Sequence, residues 1–236
     1  MTPRAAAFRD GFRDCAPFVL IAAPYSVLFG AVARDAGLDL IEVMSMSVLV
    51  IAGASQFTAL ALLRDGAPVF IALLAALAVN MRMAMYSAAL VPHLGQARLG
   101  LRALMAYLMV DQSFAVALRK YEAAPQMPLD ARIAYYFGAM AVICPVWYGG
   151  SLTGALVGRA IPPALSLDFA VPITFIALVA PMIRSLPHIV AAFASVVAAI
   201  AFAWLPWNLG LIAAAILAMM AGAQTELALR RRRGTA

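Results

Sequence analysis

Residues 41–63, IEVMSMSVLVIAGASQFTALALL, decide the fold, because this run is almost continuously apolar. It contains one charged side chain, Glu42, over a length that matches the roughly 20 residues a helix needs to cross a bilayer. Strands that span a membrane alternate polar and apolar residues, and this run does not. The stretch therefore predicts a transmembrane helix and makes a membrane barrel an unsuitable alternative.

The whole chain shares this character. Of its 236 residues, 65% are hydrophobic and 12% are charged, and the mean hydropathy is +0.94. A soluble domain has about 25% charged residues, so this composition leaves too few polar groups to coat one. It excludes a soluble enzyme, a disordered chain and a fibrous protein, and it predicts an all-α, polytopic helical membrane protein.

Apolar periodicity and length predict eight transmembrane helices with Pro- and Gly-interrupted spans, and seven is the alternative count. A short amphipathic segment, 1–15, precedes a single transmembrane transporter domain, 16–223, and a basic cytoplasmic tail, 224–236, follows it. The predicted spans are 16–33, 41–63, 68–91, 99–118, 132–158, 168–183, 186–204 and 207–223.

The net charge of +6 is explained by membrane orientation. With the N-terminus inside and eight spans, twelve Lys and Arg residues fall in inner segments and four in outer loops. Basic residues favour the cytoplasmic side, so both termini are predicted to be cytoplasmic, in a bacterial inner membrane. The bilayer accounts for the basic charge, and no nucleic-acid partner is expected because no basic patch is interleaved with aromatics.

One polar cluster lies inside the second predicted span, at Gly53, Ser55 and Gln56. Hydrogen-bonding groups in hydrocarbon need partners from another helix, water or substrate. The alternative is that Ser55 and Gln56 only hold helices together. With a glycine beside them, they predict a local helix break that lines a cavity.

A second cluster, Asn80, Arg82 and Tyr86, lies in the third span. At 100° per residue Arg82 and Tyr86 share one face and Asn80 lies nearly opposite, so this helix belongs inside the bundle. An arginine at helix centre costs about 2.5–3.5 kcal/mol on insertion scales, and a carboxylate of substrate or protein offsets that cost. A structural ion pair or snorkelling is the alternative.

A third cluster, Asp111 and Gln112, lies in the fourth span with Tyr107 one helical turn before it. An intramembrane acid is a candidate for proton coupling. If spans three and four form an antiparallel hairpin, Arg82 and Asp111 differ in depth by about 7 Å, which long side chains nearly close. The sequence therefore predicts an Arg82–Asp111 pair that opens and closes during transport.

The remaining motifs are interpreted as structural. Gly150, Gly154 and Gly158 form a ridge suited to close helix packing. The cysteines and histidines have no metal-ligand spacing, so no metal and no cofactor is expected. Prolines within spans are expected to kink or break their helices, namely Pro24, Pro145, Pro172 and Pro181.

A faint internal repeat relates Pro24 and the following Gly30–Arg34 to Pro145 and the following Gly154–Arg159. Repeats of this kind are common in transporters. Eight spans make this repeat parallel, whereas an inverted repeat requires one span to be recounted.

The runs AGASQF (52–57) and NMRMAMYS (80–87), with Asp111-Gln112-x-Phe114, occur in this order in one family. The chain resembles the AzlC-type (azaleucine resistance) family, the large subunits of the two-component branched-chain amino acid exporters. This resemblance implies export of branched-chain or related neutral amino acids and a small AzlD-type membrane partner. Carried over by position, it implies pathway roles for Ser55, Gln56, Asn80, Arg82, Tyr86 and Asp111.

Two positions depart from the family pattern. Met83 stands where histidine often follows the arginine, and Gln112 stands where glutamate often follows the aspartate. Two titratable groups are therefore absent, which leaves Asp111 as the main acid for proton coupling.

Three hypotheses follow for function. The first is a proton-coupled secondary exporter, in which Arg82 attracts the substrate carboxylate, and it involves no enzyme chemistry. The second is an intramembrane serine protease with Ser55 as nucleophile, although both histidines lie at span ends. The third is a non-transporting membrane assembly subunit. No GxxxxGK[ST] motif is present, so this chain uses no ATP through such a loop.

Overall fold

The computed structural model describes residues 2–158, 183, 185–205 and 209–234. These residues are helical and form no strands, as the composition predicts. The sixth predicted span, with Pro172 and Pro181, lies outside the described residues except for Ile183. The helices are α1 Pro3–Cys15, α2 Val19–Asp35, α3 Leu40–Leu49, α4 Gly53–Arg64, α5 Val69–Asn80, α6 Arg82–Leu94, α7 Leu99–Tyr107, α8 Asp111–Ala123, α9 Leu129–Val157, α10 Leu186–Ala201 and α11 Leu209–Gly234.

The chain divides into two compact units. The first contains residues 1–60 and 76–167, and the second contains residues 61–75 and 168–236. In the second unit α10 packs against α11. Helix α11 continues to Gly234, through the segment predicted as a tail, because Glu, Leu, Ala and Arg are good helix formers. All three polar clusters lie in the first unit.

Within the described residues, three apolar helical stretches are long enough to cross a bilayer: Pro3–Asp35, Val69–Leu94 and Leu129–Val157. The first joins α1 to α2 through a 3₁₀ turn at Ala16–Phe18, so the N-terminal segment continues into the first span. The second joins α5 to α6 through Met81, whose backbone angles remain helical. Pro24 and Pro145 lie inside continuous helices and break neither of them.

The predicted crossing of residues 41–63 is wrong, because the chain turns back in the middle. Helix α3 has 10 residues and ends before Val50, whose backbone is extended. Helix α4 then runs in the same direction as α2, since Gly53 lies against Tyr25 while Phe57 reaches both Tyr25 and Phe29. Helices α3 and α4 therefore form a hairpin that enters from the end where α2 finishes; we call it the outer hairpin.

The predicted crossing of residues 99–118 is wrong for the same reason. Helix α7 runs along α9, with Tyr136 donating to the Met105 carbonyl at 2.7 Å. Val110 is extended and starts α8, which returns so that Tyr121 donates to the Arg132 carbonyl at 2.8 Å, near the start of α9. Helices α7 and α8 form a second hairpin, the inner hairpin, which enters from the opposite end.

Charged side chains fix the end from which the inner hairpin enters. Arg4 pairs with Asp130, and Lys120 pairs with Asp10 at 3.6 Å. His93, at the end of α6, contacts the Tyr121 ring at 5.5 Å and accepts a hydrogen bond from Arg132 through its carbonyl. The starts of α1 and α9 and the ends of α6 and α8 therefore share one polar end.

The helix directions relate two segments other than those of the predicted repeat. Residues 3–64 form a long helix followed by a hairpin, and residues 69–123 form the same arrangement running the other way. This is an inverted pair, and it arises because the two hairpins each replace a predicted crossing. Helix α9 runs parallel to α1 and α2, so the helices that contain Pro24 and Pro145 have the same direction.

Helices α2 and α9, which run parallel, pack against each other through glycines, as the predicted ridge requires. A Cβ at Gly154 would overlap the Val27 carbonyl oxygen, and a Cβ at Gly30 would overlap the Ser151 carbonyl oxygen. The two contacts are reciprocal, because 27 and 151 lie three residues before 30 and 154. Gly150 and Gly158 make similar approaches to Ser26 and Ala31, so the ridge is confirmed.

The hairpin directions predict the sidedness of two loops. In a background without Cys15 and Cys144, Asp65→Cys is expected to react with a membrane-impermeant maleimide from the same side as Asp35→Cys. Gln96→Cys is expected to react from the same side as Gln126→Cys. Full crossings at 41–63 and 99–118 would reverse both results, so labelling of Asp65→Cys together with Gln126→Cys would contradict the hairpins.

Candidate functional site

The polar clusters meet where the hairpins turn. The Tyr107 hydroxyl donates to the Val48 carbonyl and lies 3.5 Å from the Tyr148 hydroxyl. This contact joins the end of α3, at the tip of the outer hairpin, to the end of α7, at the tip of the inner hairpin. The two breaks therefore lie at one depth in the first unit. Tyr107 does not share a helix with Asp111, because the break at Val110 separates them.

The predicted ion pair is present. Arg82 Nη1 lies 3.1 Å from Asp111 Oδ2. The predicted antiparallel arrangement is wrong, because α6 and α8 run parallel. The rings of Tyr86 and Phe114 stack with centroids 4.1 Å apart, and both helices end near Arg132. Asp111 is the first residue of α8, whereas Arg82 follows Met81 inside the continuous α5–α6 helix.

Helix position adds to the electrostatics of the pair. Asp111 begins α8, where the helix dipole stabilises a carboxylate. Arg82 lies inside the continuous α5–α6 helix, where Asp111 supplies the charge that compensates for it. The side chains are 24% and 37% exposed, and Arg82 Nε and Asp111 Oδ1 have no further partner among the described residues. The pair thus retains free hydrogen-bonding capacity.

The other candidate residues differ in burial and in whether their polar atoms have hydrogen-bond partners. Ser55 is buried and donates to the Ala52 carbonyl at 2.9 Å. Gln56 is 1% exposed, and neither its amide nitrogen nor its oxygen has a partner among the described residues. Asn80 Oδ1 is also buried and has no hydrogen-bond partner among the described residues. Gln112, the residue after Asp111, is half-buried. Tyr86 lies within electrostatic range of Arg82 and Asp111.

Sequence reasoning missed two aromatic residues of this site. Tyr25 and Trp147 pack with ring centroids 5.9 Å apart, and both rings lie against Gly53. The Tyr25 hydroxyl and the Trp147 Nε1 are buried without a partner among the described residues. The Tyr-Ser dipeptide at 25–26, which recurs at 86–87, is the signal that could have found Tyr25.

The two hairpins repeat one local design. Ser55 and Ser113 are each the third residue of their helix, and each donates to the carbonyl three residues earlier, at 2.9 Å. Behind each turn a phenylalanine packs on a tyrosine of the preceding long helix, Phe57 on Tyr25 and Phe114 on Tyr86. The equivalent of Asp111 in the outer hairpin is Gly53.

A cavity of about 300 Å³ lies on the polar-end side of the ion pair. It is bounded by α6, α7 and the inner hairpin turn, and its surface is mainly apolar. Arg102 contributes a charged group and hydrogen-bonds weakly to the Gly95 carbonyl at 3.4 Å. The lining includes Ser87, Leu90, Leu94, Met105, Met109 and Tyr136.

Neither a metal site nor a Ser55–His93 pair has a suitable geometry in the described part of the chain. No group of three His, Cys, Asp or Glu side chains there could hold a metal ion. The Ser55 hydroxyl is bonded to Ala52, and His93 lies with Tyr121 at the polar end. Ser55 and His93 therefore do not form a nucleophile–base pair.

The family profile described as AzlC protein matches residues 17–161. An uncharacterized membrane protein of Archaeoglobus fulgidus is 28% identical over 90% of this chain and 93% of its own length. The inner membrane protein YgaZ of Escherichia coli is 33% identical over 50% of this chain and 49% of its own length.

An uncharacterized membrane protein of Helicobacter pylori is 29% identical over 64% of each chain. No solved structure matches the chain significantly. The matched family region, 17–161, covers both hairpins, the ion pair and the α2–α9 contact. The chain belongs to the AzlC family of membrane proteins.

Proposed function

We propose that the protein is a secondary exporter of branched-chain or related neutral amino acids and the large subunit of a two-component system. The observation that carries this proposal is the Arg82–Asp111 pair at the meeting point of two broken helices. Ionisable groups at membrane depth mark solute and proton pathways, and broken helices form the midplane sites of many transporters.

The cavity supports an apolar solute. Its volume of about 300 Å³ and its Leu and Met lining suit a small aliphatic side chain. It extends from Met109, beside the inner hairpin turn, to Gly95 near the polar end. The cavity therefore offers a small aliphatic side chain an apolar volume on the polar-end side of the ion pair, and neither Arg82 nor Asp111 lines it.

Proton coupling would operate through Asp111. Protonation removes the carboxylate charge and so weakens its attraction for Arg82. Arg82 lies in the continuous α5–α6 helix, and Asp111 lies in the inner hairpin. Release of the ion pair therefore permits this helix and the inner hairpin to separate. A sealed, dry pair would instead favour the assembly-subunit hypothesis, but both side chains remain partly exposed.

We place the polar end in the cytoplasm of an inner-membrane protein. The relative YgaZ is described as an inner membrane protein. If residues 41–63 and 99–118 form hairpins and not full crossings, Arg98 and Arg102 lie on the cytoplasmic side with the other basic segments. Arg64 then lies on the opposite side. This distribution follows the preference of basic residues for the cytoplasmic side.

The partner would be a small AzlD-type membrane protein, as the resemblance implies. A neighbouring gene that encodes a short, strongly hydrophobic protein is the expected genomic signature. Co-purification of that protein with the full chain would support the two-component arrangement.

The direct test is transport in proteoliposomes that contain the purified chain and this partner. Preloaded leucine or methionine is expected to drive uptake of the labelled amino acid by counterflow. Vesicles with the partner alone serve as the control. Absence of counterflow for leucine, isoleucine, valine and methionine in a folded, reconstituted complex would exclude the proposed substrate class.

A further inference from the structure

We propose that the first turn of α4, at the tip of the outer hairpin, binds the carboxylate of the transported amino acid. The inference rests on the proposed function and assigns one end of the substrate to a defined group of atoms. It differs from the sequence-based expectation, in which Arg82 attracts that carboxylate.

Arg82 is a poor candidate for this role because it already has a carboxylate partner. Its Nη1 lies 3.1 Å from Asp111. Asp111 stands at the first position of α8, where the helix dipole and first-turn N–H groups favour an anion. The inner hairpin thus carries its own carboxylate at its tip.

The outer hairpin has the same local structure without the acid. Its helix α4 begins with Gly53, the equivalent of Asp111, and has no acidic residue in its first turn. The first intrahelical acceptor is Ala52, which receives the Gln56 N–H at 3.0 Å. The N–H groups of Gly53, Ala54 and Ser55 precede that bond, so helix geometry leaves them without an intrahelical acceptor.

Buried side chains supply the second observation. Gln56 is 1% exposed and has no hydrogen-bond partner among the described residues at either end of its amide. Helical side chains lean towards the N-terminus of their helix, so this amide reaches back towards the first turn. An unpartnered buried amide is costly, and a bound ligand would satisfy it.

Two further polar groups belong to the aromatic rings that pack against Gly53. A Cβ built on Gly53 would lie 2.5 Å from Tyr25 Cε1 and 2.7 Å from Trp147 Cη2. Cε1 is adjacent to the carbon that bears the Tyr25 hydroxyl, and that hydroxyl is buried and unpartnered among the described residues. Trp147 Nε1, a group that only donates, is also buried without a partner there.

The chemistry of this group selects the ligand. Backbone N–H, indole N–H, phenol O–H and amide N–H groups donate hydrogen bonds, and a helix N-terminus attracts negative charge. Such a set fits an acceptor-only anion, and the carboxylate of a neutral amino acid is the anion that the proposed function provides. The Arg82–Asp111 pair is then left for coupling, and Tyr25 lies within electrostatic range of both of its charges.

The test compares leucine with leucinamide, which retains the ammonium group and side chain but lacks the carboxylate. Binding is measured by competition with labelled leucine on the full chain with its partner, at pH 7, where most of the leucinamide carries its ammonium charge. Wild type is expected to bind leucine at least about 10-fold more tightly than leucinamide, because hydrogen bonds to a charged group contribute about 1.5–3 kcal/mol.

The variant Gln56→Glu places a fixed carboxylate beside the first turn. It is expected to weaken leucine binding by about 10- to 100-fold without weakening leucinamide. Gln56→Leu, which removes the amide without adding charge, is expected to weaken leucine alone. Thr58→Val is the matched control, because its hydroxyl is committed to the Ala54 carbonyl at 2.8 Å.

The outcomes separate this inference from the function on which it rests. If wild type binds leucinamide as tightly as leucine, or if the Gln56 variants weaken both compounds equally, the carboxylate site is wrong while transport stands. If Gln56→Glu binds leucine like wild type, the site is also wrong. If folded wild type binds no neutral amino acid, the proposed function fails as well.

Discussion

Replacing Asp111 with asparagine is expected to abolish proton-driven export while leaving the protein folded. Asparagine keeps the shape of the side chain but can neither carry the charge that holds Arg82 at 3.1 Å nor bind and release a proton. If Asp111 is the coupling acid, flux driven by a pH gradient should fall at least about 100-fold, as is typical when an essential proton-transfer group is lost. Leucine counterflow, which requires no net proton movement, should fall much less. The measurement is the ratio of the two fluxes in the same proteoliposomes.

Asp130→Asn provides a matched control for this change. Asp130 also pairs with an arginine, Arg4, but both side chains are more than half exposed. Exposed pairs contribute only about 0–1 kcal/mol, so this variant should transport like wild type. Equal gradient-driven export by Asp111→Asn and wild type would remove Asp111 from the coupling mechanism.

Arg82→Ala separates structural from transport roles of the pair. This variant leaves the Asp111 carboxylate at membrane depth without its cation, so its thermal stability should fall. In the double variant Arg82→Ala/Asp111→Asn neither charge remains, and stability should recover because no unpaired charge is left. Gradient-driven export should remain absent in both variants. Recovery of export in the double variant would make the pair purely structural.

The sequence predicts the composition of the site better than its topology. Arg82 and Asp111 are detectable because charge is costly in hydrocarbon wherever the surrounding helices lie. Their pairing follows from that cost, and it survives although α6 and α8 are parallel instead of antiparallel. Single side-chain energetics therefore carry information that does not depend on the correct path of the chain.

The hairpins are harder to predict, because a half-helix and a full helix have the same apolar composition. Helix α3 and α4 together have the length of one span. The breaks occur at Val50 and Val110, which are extended, and no proline marks either position. Pro24 and Pro145, the obvious breakers, instead lie within continuous helices. Tertiary contacts such as Tyr107 with Val48 stabilise the turns, and no local pattern encodes such contacts.

The α2–α9 contact predicts a second large effect, on stability. Gly154→Ala is expected to lower the melting temperature strongly or to prevent folding, because the new methyl group would overlap the Val27 carbonyl and approach Ala31 N. Backbone atoms on a neighbouring helix cannot rotate away as a side chain does, so the two helices must move apart. Overpacking of this kind costs about 1–3 kcal/mol or more. Gly30→Ala should behave similarly, since Gly30 meets the Ser151 carbonyl in the reciprocal contact.

Gly149→Ala tests the same change on the same helix without the contact. A Cβ at Gly149 meets nothing within 4 Å, and alanine is a better helix former than glycine by about 1 kcal/mol. This variant should therefore melt at or slightly above the wild-type temperature. If Gly154→Ala and Gly149→Ala melt together, α2 and α9 do not touch at Gly154. The parallel packing that holds Tyr25 and Trp147 against Gly53 would then lose its basis, because those two residues are positioned by α2 and α9.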